Sequence, residues 1–406
     1  MNVLFLTIGR MEGIETHSIY PDLLRQFRDN GHNVYVAASR ERRTGLKTSV
    51  LEDHNVRIPY GRIGNITKCN FVEKGISTIL LERQYKSAIK KYFSNIKFDL
   101  ILYSTPPITL AGVVQYVKKR DNAKTYLLLK DIFPQNAVDI GILSKKGLKG
   151  ILYKYFRIKE KKLYGISDYI GCMSEANCKY VLRQNPEVSS SKVEVCPNCI
   201  EIQDVSLKEA ERISMREKYG IPLDKIVYVY GGNLGKPQGI PFLIKCLKSQ
   251  INSKRAFFLI VGDGTEYSKL ETFFEKENPK NMKLLKRLPK DDYDRMIAAC
   301  DVGMIFLDHR FTIPNFPSRL LSYMQAKLPV LAVTDSNTDI GKVIVEGGFG
   351  WWCESNDIKL FHEREREVCK SDLMSMGIKG GQYLKDYYNA EKSYKIVMRH
   401  FEKQLR

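Results

Sequence analysis

The run Tyr230-Gly231-Gly232-Asn233-Leu234-Gly235-Lys236-Pro237-Gln238-Gly239 closes an apolar stretch and leads into a helical pattern from Ile240. Glycines at such a strand-to-helix turn let backbone N–H groups approach a phosphate at the positive end of a helix, and Lys236 adds a cation beside them. A tight turn without any ligand explains the same glycines. The next apolar stretch ends in a second small-residue turn, Val261-Gly262-Asp263-Gly264-Thr265-Glu266. Two such turns at the carboxyl ends of neighbouring strands lie where open α/β sheets bind ligands. The third element is Pro314-Asn315-Phe316-Pro317-Ser318-Arg319-Leu320-Leu321-Ser322-Tyr323-Met324. Here Pro317 stops a loop, Ser318 can cap the next helix, and Arg319 offers a planar fork for phosphate oxygens. Taken alone, Arg319 reads equally well as a solvated first-turn residue.

These residues need strands and helices to position them. Strand patterns at 2–7, 33–38, 100–103, 124–129 and 169–173 alternate with helical ones, among them 19–29, which sets Ile19, Leu23, Leu24 and Phe27 on one face ahead of Gly31. A second series begins near Lys225, with strands predicted at 226–230, 256–261, 282–285, 302–306 and 330–333 and helices at 240–247, 266–277, 291–299 and 318–326. This alternation is the signature of βαβ units on parallel sheets. A chain of 406 residues divides naturally into two domains of roughly 200 residues each. The expected boundaries are 1–200 and 201–387, with a hinge in the polar, Pro-flanked stretch 197–222. A predicted helix at 390–404 has no strand after it, so 388–406 can rejoin the first domain.

Composition narrows the setting. The apolar start Met1 to Leu6 ends at Thr7 and Gly9, too early for a secretion signal, and the stretch 100–117 is broken by Ser104-Thr105-Pro106-Pro107. No membrane span is expected. Nine cysteines without a framework read as reduced cytoplasmic thiols; Cys196-Pro197-Asn198-Cys199 lacks the second ligand pair of a zinc site. The net charge of +19 is uneven: residues 1–200 hold 32 Lys and Arg against 18 Asp and Glu, or +14, leaving 33 against 28, or +5, for the rest. The first half is thus expected to face something anionic, either a membrane leaflet with a lipid-phosphate acceptor or nucleic acid, unless its basic surface is simply well solvated. Between Ser144 and Tyr164 lie eight Lys or Arg and one Glu, with Leu148, Ile151, Leu152 and Tyr155 at helical spacing. Such a helix either lies on a membrane or packs on a core with a solvated basic face. Lys86, Lys90, Lys91 and Lys97 extend the basic patch. The aromatics among these basic runs form no nucleic-acid-binding module, which argues against nucleic acid as the partner.

In their order and distances, these runs resemble the family 4 retaining glycosyltransferases of GT-B fold, particularly those that build capsules and O-antigens. The matching pieces are the Gly-Asn-x-Gly turn with Gln238-Gly239, the Val-Gly-Asp-Gly turn, Pro317-Ser318-Arg319 through Met324 with its closing Pro329-Val330, and Thr334-Asp335-Ser336-Asn337-Thr338-Asp339. Leu129-Lys130-Asp131-Ile132-Phe133-Pro134 and Gly171-Cys172-Met173-Ser174 match in the first half, so the resemblance spans nearly the whole chain. It implies an α/β fold of two Rossmann-like domains whose parallel sheets face across a cleft, the C-terminal helix returning to the first. It also implies transfer, with retained configuration, of an N-acetylated or deoxy sugar from UDP to a lipid-linked saccharide in capsule, O-antigen or exopolysaccharide synthesis. Such an enzyme is expected in the cytoplasm, peripheral on the inner face of the cell membrane, its N-terminal domain against the anionic surface. A nucleotide-sugar epimerase or hydrolase on the same fold is the alternative.

On this resemblance the donor is held by Gly232, Asn233, Gly235, Lys236, Gly262, Gly264, Arg287, Ser318, Arg319 and Ser322. Arg319 would stabilise charge on the departing phosphate, and Asp131 or Glu15 would take the acceptor proton. Gly9, Glu12 and His17, in the loop after the first strand, would contact the acceptor. His17 as an exposed loop residue and Asp131 as a helix cap are the plain structural readings. No metal or cofactor is expected, since no Asp-x-Asp pair is placed to hold a metal. The chain departs from the family pattern at the Glu-x7-Glu motif, where Pro314 and Ser322 replace the acids, and in the first turn, where Asn233 and Gln238 stand at the usual Arg and Lys. Lys236 is therefore assigned by proximity.

Overall fold

A computed structural model describes residues 1–8, 11–53, 55–65 and 71–401. They form two compact units, Met1–Glu201 with Ala390–Arg406, and Ile202–Asn389.

The first unit is built on eight strands: β1 (Asn2–Leu6), β2 (Asn33–Glu41), β3 (Ser49–Asp53), β4 (Val56–Ile63), β5 (Leu100–Ser104), β6 (Lys124–Leu129), β7 (Tyr169–Cys172) and β8 (Val193–Val195). Their order is β3-β4-β2-β1-β5-β6-β7-β8, parallel except for the β3–β4 hairpin. Side chains alternate across a strand, so β1 feeds two cores. Leu4 and Leu6 cluster with Phe93, Val113 and Leu163, whereas Val3 and Phe5 cluster with Leu23, Leu24 and Phe27 of the helix Ile19–Asp29. Each fully buried side chain of this kind contributes about 1.5–3 kcal/mol.

The second of these cores also takes in the end of the chain. Ala390, Val397, Met398 and Phe401 belong to it, and the Ala390 N–H donates to the Ile200 carbonyl at 3.0 Å. Tyr394 meets Phe27 edge-on at 4.9 Å, and the His400 ring stacks on Tyr169 at 3.7 Å.

The second unit has six parallel strands: β9 (Ile226–Asn233), β10 (Ala256–Asp263), β11 (Met282–Leu285), β12 (Val302–Phe306), β13 (Val330–Thr334) and β14 (Gly350–Glu354). Their order is β11-β10-β9-β12-β13-β14. Tyr228, Tyr230, Leu243, Phe258 and Phe306 centre its core.

The predicted strands are all present, and β3, β4, β8 and β14 are additions. β4 escapes an alternation pattern because Pro59 and Gly61 interrupt it, and the edge strand β3 leaves Val50 and Leu51 exposed. β8 is three residues long. The two thiols of the Cys-x-x-Cys run are free and buried; burial raises Cys196 and pushes Cys199 up to about 12, so neither is a thiolate at neutral pH.

Phe27 is fully buried between the sheet and Tyr394. Phe27→Ala is expected to cost the first unit about 3–5 kcal/mol, read as a lower urea midpoint; an unchanged midpoint would remove this contact from the core.

Candidate functional site

The chain of the second unit moves outward from β9 through β10 and β11, then returns to place β12 on the other side of β9. Connections leaving the carboxyl ends of β9 and β12 therefore diverge, and a crevice opens between them. The glycine turn after β9 and the segment after β12 meet at this point. The Asp308 N–H donates to the Pro237 carbonyl at 3.0 Å, and Arg319 Nη2 donates to the Asn233 carbonyl at 3.4 Å.

The two glycine turns interlock. Gly232 has φ +111°, a conformation that side chains avoid, and its carbonyl lies 2.0 Å from where a Cβ on Gly262 would stand. A Cβ on Gly264 would lie 2.4 Å from the Leu234 carbonyl. The backbones are joined by Leu234 N–H to Asp263 O at 3.0 Å and Glu266 N–H to Leu234 O at 2.9 Å. Gly262 and Gly264 thus fix the shape of the first turn by close backbone packing. Gln238 braces it from the other side, its Oε1 accepting from Gly235 N–H and Asn233 Nδ2, both at 3.0 Å.

Arg319 opens the helix Arg319–Gln325. Its guanidinium lies 4.3 Å over the Tyr230 ring, a cation–π contact, and the Tyr230 hydroxyl donates to the same Asn233 carbonyl at 3.3 Å. Tyr323 is fully buried behind them, its hydroxyl accepting from Gly231 N–H at 3.1 Å. Burial pushes that phenol up to about 12, against the pull of Arg319. The Tyr293 hydroxyl packs over Gly231, 1.9 Å from where a Cβ would be. Held in this aromatic setting, Arg319 Nη1 is shut off from solvent and has no hydrogen-bond partner among the described residues. An enclosed unsatisfied donor costs about 1–3 kcal/mol. The Nη2 edge of Arg319, at the exposed hydrogen bond to Asn233, is the one an oxyanion can reach.

The remaining donor-set residues are placed less decisively. Lys236 is exposed on the turn, Arg287 is exposed in the loop after β11, and Ser318 is exposed with no capping bond. Ser322 is half-buried on the Arg319 helix. The run 334–339 folds onto itself, Asp335 Oδ1 accepting from Asn337 and Thr338 N–H groups at 2.9 and 3.2 Å. Sequence reasoning missed Tyr230, Tyr293 and Tyr323 as the support of Arg319. Tyr323 has a local signal, one turn after Arg319 on the same helix, whereas Tyr293 comes from the helix Lys290–Ala298 and has none.

In the first unit, Asp131 follows β6 and is partly buried. Thr105 Oγ1 accepts from its backbone N–H at 3.2 Å and donates to its carbonyl at 2.9 Å, while Asn136 Nδ2 donates to its Oδ1 at 2.7 Å. Burial, only partly opposed by Asn136, raises the carboxyl to about 6. Glu15 is exposed and ion-paired with Arg28; Glu12 is exposed; Gly9 lies outside the described residues. His17, exposed, points Nδ1 at Arg25 Nη2, 3.1 Å away. His17, Asp22 and Glu201 are close enough to share a metal ion, yet Arg25 already lies 2.6 Å from Asp22 and 2.7 Å from Glu201 and meets their charge.

Residues 211–380 match the family described as glycosyl transferases group 1. The chain is a glycosyltransferase whose residues 211–380 match that family. It is 29% identical over 282 residues to the probable glycosyltransferase WbjE of Pseudomonas aeruginosa, covering 69% of this chain and 68% of that one. It is 22% identical over 251 residues to the putative colanic acid biosynthesis glycosyl transferase WcaI of Escherichia coli K12, covering 61% and 60%. Among solved structures it is similar to Anabaena Alr3699/HepE in complex with UDP-glucose, with a TM-score of 0.72 and 15% identity over 99% of this chain and 100% of that one. The glycosyltransferase thus has the GT-B fold, two parallel-sheet α/β units.

Two outcomes are expected of substitutions in this glycosyltransferase. Gly262→Ala drives a methyl into the Gly232 carbonyl and should destabilise the second unit by about 1–3 kcal/mol in denaturant unfolding; a neutral effect would show that the two turns do not depend on each other. Because the folded pKa of Asp131 is raised, ionising it opposes folding, and stability should fall as pH rises from about 4 to about 6. Asp131→Asn should remove that decline and gain about 1–2 kcal/mol at pH 7, measured by unfolding across the pH range.

Proposed function

We propose that this glycosyltransferase moves a sugar from UDP, with retained anomeric configuration, to a saccharide carried on a lipid diphosphate during synthesis of a surface polysaccharide. One observation carries the reading: a guanidinium is held on Tyr230 beside the glycine turn, with its Nη2 edge at a solvent-exposed hydrogen bond. A diphosphate oxygen is the acceptor that suits it. As the bond to the sugar breaks, negative charge grows on the departing diphosphate, and a fixed cation stabilises that state more than the bound donor. Lys236, on the same turn, adds a second charge. With these two cations, no metal or cofactor enters the reading.

The similar HepE structure holds UDP-glucose, and the name of WcaI places it in colanic acid biosynthesis. Both support a UDP-linked donor and a polysaccharide product. Pro314 and Ser322 leave no carboxylate at those positions to accept from sugar hydroxyls, which suits a deoxy or N-acetylated donor. Asp131, ionised above about pH 6, is the carboxylate suited to take the acceptor proton. Among the described residues no helix is long and apolar enough to cross a membrane. The excess of Lys and Arg in the first unit supports a meeting with the acceptor at the anionic inner face of the cell membrane.

A screen of nucleotide sugars with a lipid-diphosphate acceptor, read by mass spectrometry, tests this. A glycosylated lipid product is expected, lost by roughly a hundredfold or more in Arg319→Ala with the fold intact. Isomerised or hydrolysed free donor without any transfer would make the enzyme an epimerase or hydrolase, and near-normal transfer by Arg319→Ala would remove Arg319 from the phosphate site.

A further inference from the structure

The helix Gly147–Ile166 of the first unit leaves a row of large apolar side chains in water: Leu148 is 87% exposed, Ile151 67%, Tyr155 38% and Ile158 67%. Their spacing places them on one stripe. The opposite face is firmly held. Leu163 and Tyr164 are buried, Phe156 meets Phe133 edge-on at 4.9 Å, and buried Glu160 accepts from Tyr164 at 2.8 Å and from Arg157 at 2.5 Å. The stripe therefore faces outward because the other face is the one the fold uses.

Beside the stripe runs an open groove of about 580 Å³, lined by Glu82, Arg83, Lys86, Lys90, Tyr155 and Lys159. Its one lining carboxylate, Glu82, is shared by Lys86 at 2.9 Å and Lys159 at 3.9 Å. Arg83 and Lys90 have no carboxylate partner among the described residues. Tyr155 belongs to both the stripe and the groove, so the apolar and cationic surfaces are continuous. Lys145, Lys149, Lys154 and Lys162 are exposed around the same helix. An apolar stripe ringed by cations matches the layering of a lipid surface, acyl chains below and anionic headgroups above. Polynucleotide would leave the four apolar side chains in water.

The geometry points to this stripe and groove as a docking surface for an anionic bilayer: Leu148, Ile151, Tyr155 and Ile158 enter the headgroup–acyl boundary while the groove takes a lipid phosphate. The inference rests on the membrane-borne acceptor of the reading above and names the surface that meets it.

Sedimentation of the full chain with vesicles tests it, using phosphatidylcholine alone and phosphatidylcholine mixed with phosphatidylglycerol, at low and high salt. Binding to the mixed vesicles that weakens with salt is expected. Lys86→Gln with Lys90→Gln should reduce it roughly twenty-five-fold, about fivefold per cation. Ile151→Ser with Ile158→Ser should reduce it roughly tenfold or more while leaving its salt dependence. These side chains are surface-facing, and an unchanged thermal midpoint shows that each variant is folded. No binding to mixed vesicles, or binding that neither pair alters, overturns the docking surface. So does salt-sensitive binding to RNA that the serine pair leaves intact, with no vesicle binding. UDP affinity, measured on the same variants, should not change, so loss of vesicle binding and failure of the nucleotide-sugar reading are told apart.

Discussion

The contact between Arg319 and the Tyr230 ring, at 4.3 Å, is the interaction on which the candidate site depends. An arginine on an open surface samples many rotamers and is well solvated, and a phosphate must then compete with water for it. Here the ring, the Asn233 carbonyl and the neighbouring tyrosines hold the guanidinium in one place and close off Nη1. The cost of ordering and partly desolvating the cation is met in folding, so a ligand finds it preorganised. The rest of the second unit supports this arrangement. The strand order puts the turn and the Arg319 helix at the same crevice, and the backbone packing of Gly262 on Gly232 sets where the Asn233 carbonyl points.

The alternation of strand and helix patterns was legible because period and turn residues are local properties, and the helix predicted at 19–29 is observed as Ile19–Asp29. The glycine turns and Arg319 could be picked out for the same reason. The support of Arg319 could not, because Tyr293 comes from a segment far along the chain whose relation to Gly231 exists only in the folded state. Gly235 and Asn233 read as ligand contacts, yet Gln238 engages the N–H of one and the side chain of the other. The hairpin β3–β4 was missed where Pro59 breaks the alternation.

The helix Gly147–Ile166 shows a different limit. Its pattern fits either a core helix with a basic face or a surface helix with an apolar stripe, since periodicity marks a face without saying what covers it. The answer comes from the far side, where Glu160, Leu163 and Tyr164 are buried, leaving Leu148, Ile151 and Ile158 to solvent. Lys236 and Arg319 set a similar contrast within one site: the lysine is an exposed charge on the turn, and the arginine is held against a ring.

The central claim is that the second unit holds a diphosphate through a preorganised arginine. Calorimetric titration of the intact protein with UDP and with UMP tests it most directly. The β-phosphate supplies an acceptor for the exposed Nη2 edge of Arg319, and a hydrogen bond to a charged group is worth about 1.5–3 kcal/mol, so UDP is predicted to bind at least roughly tenfold more tightly than UMP. Equal affinities for the two, or binding to neither, would contradict the account.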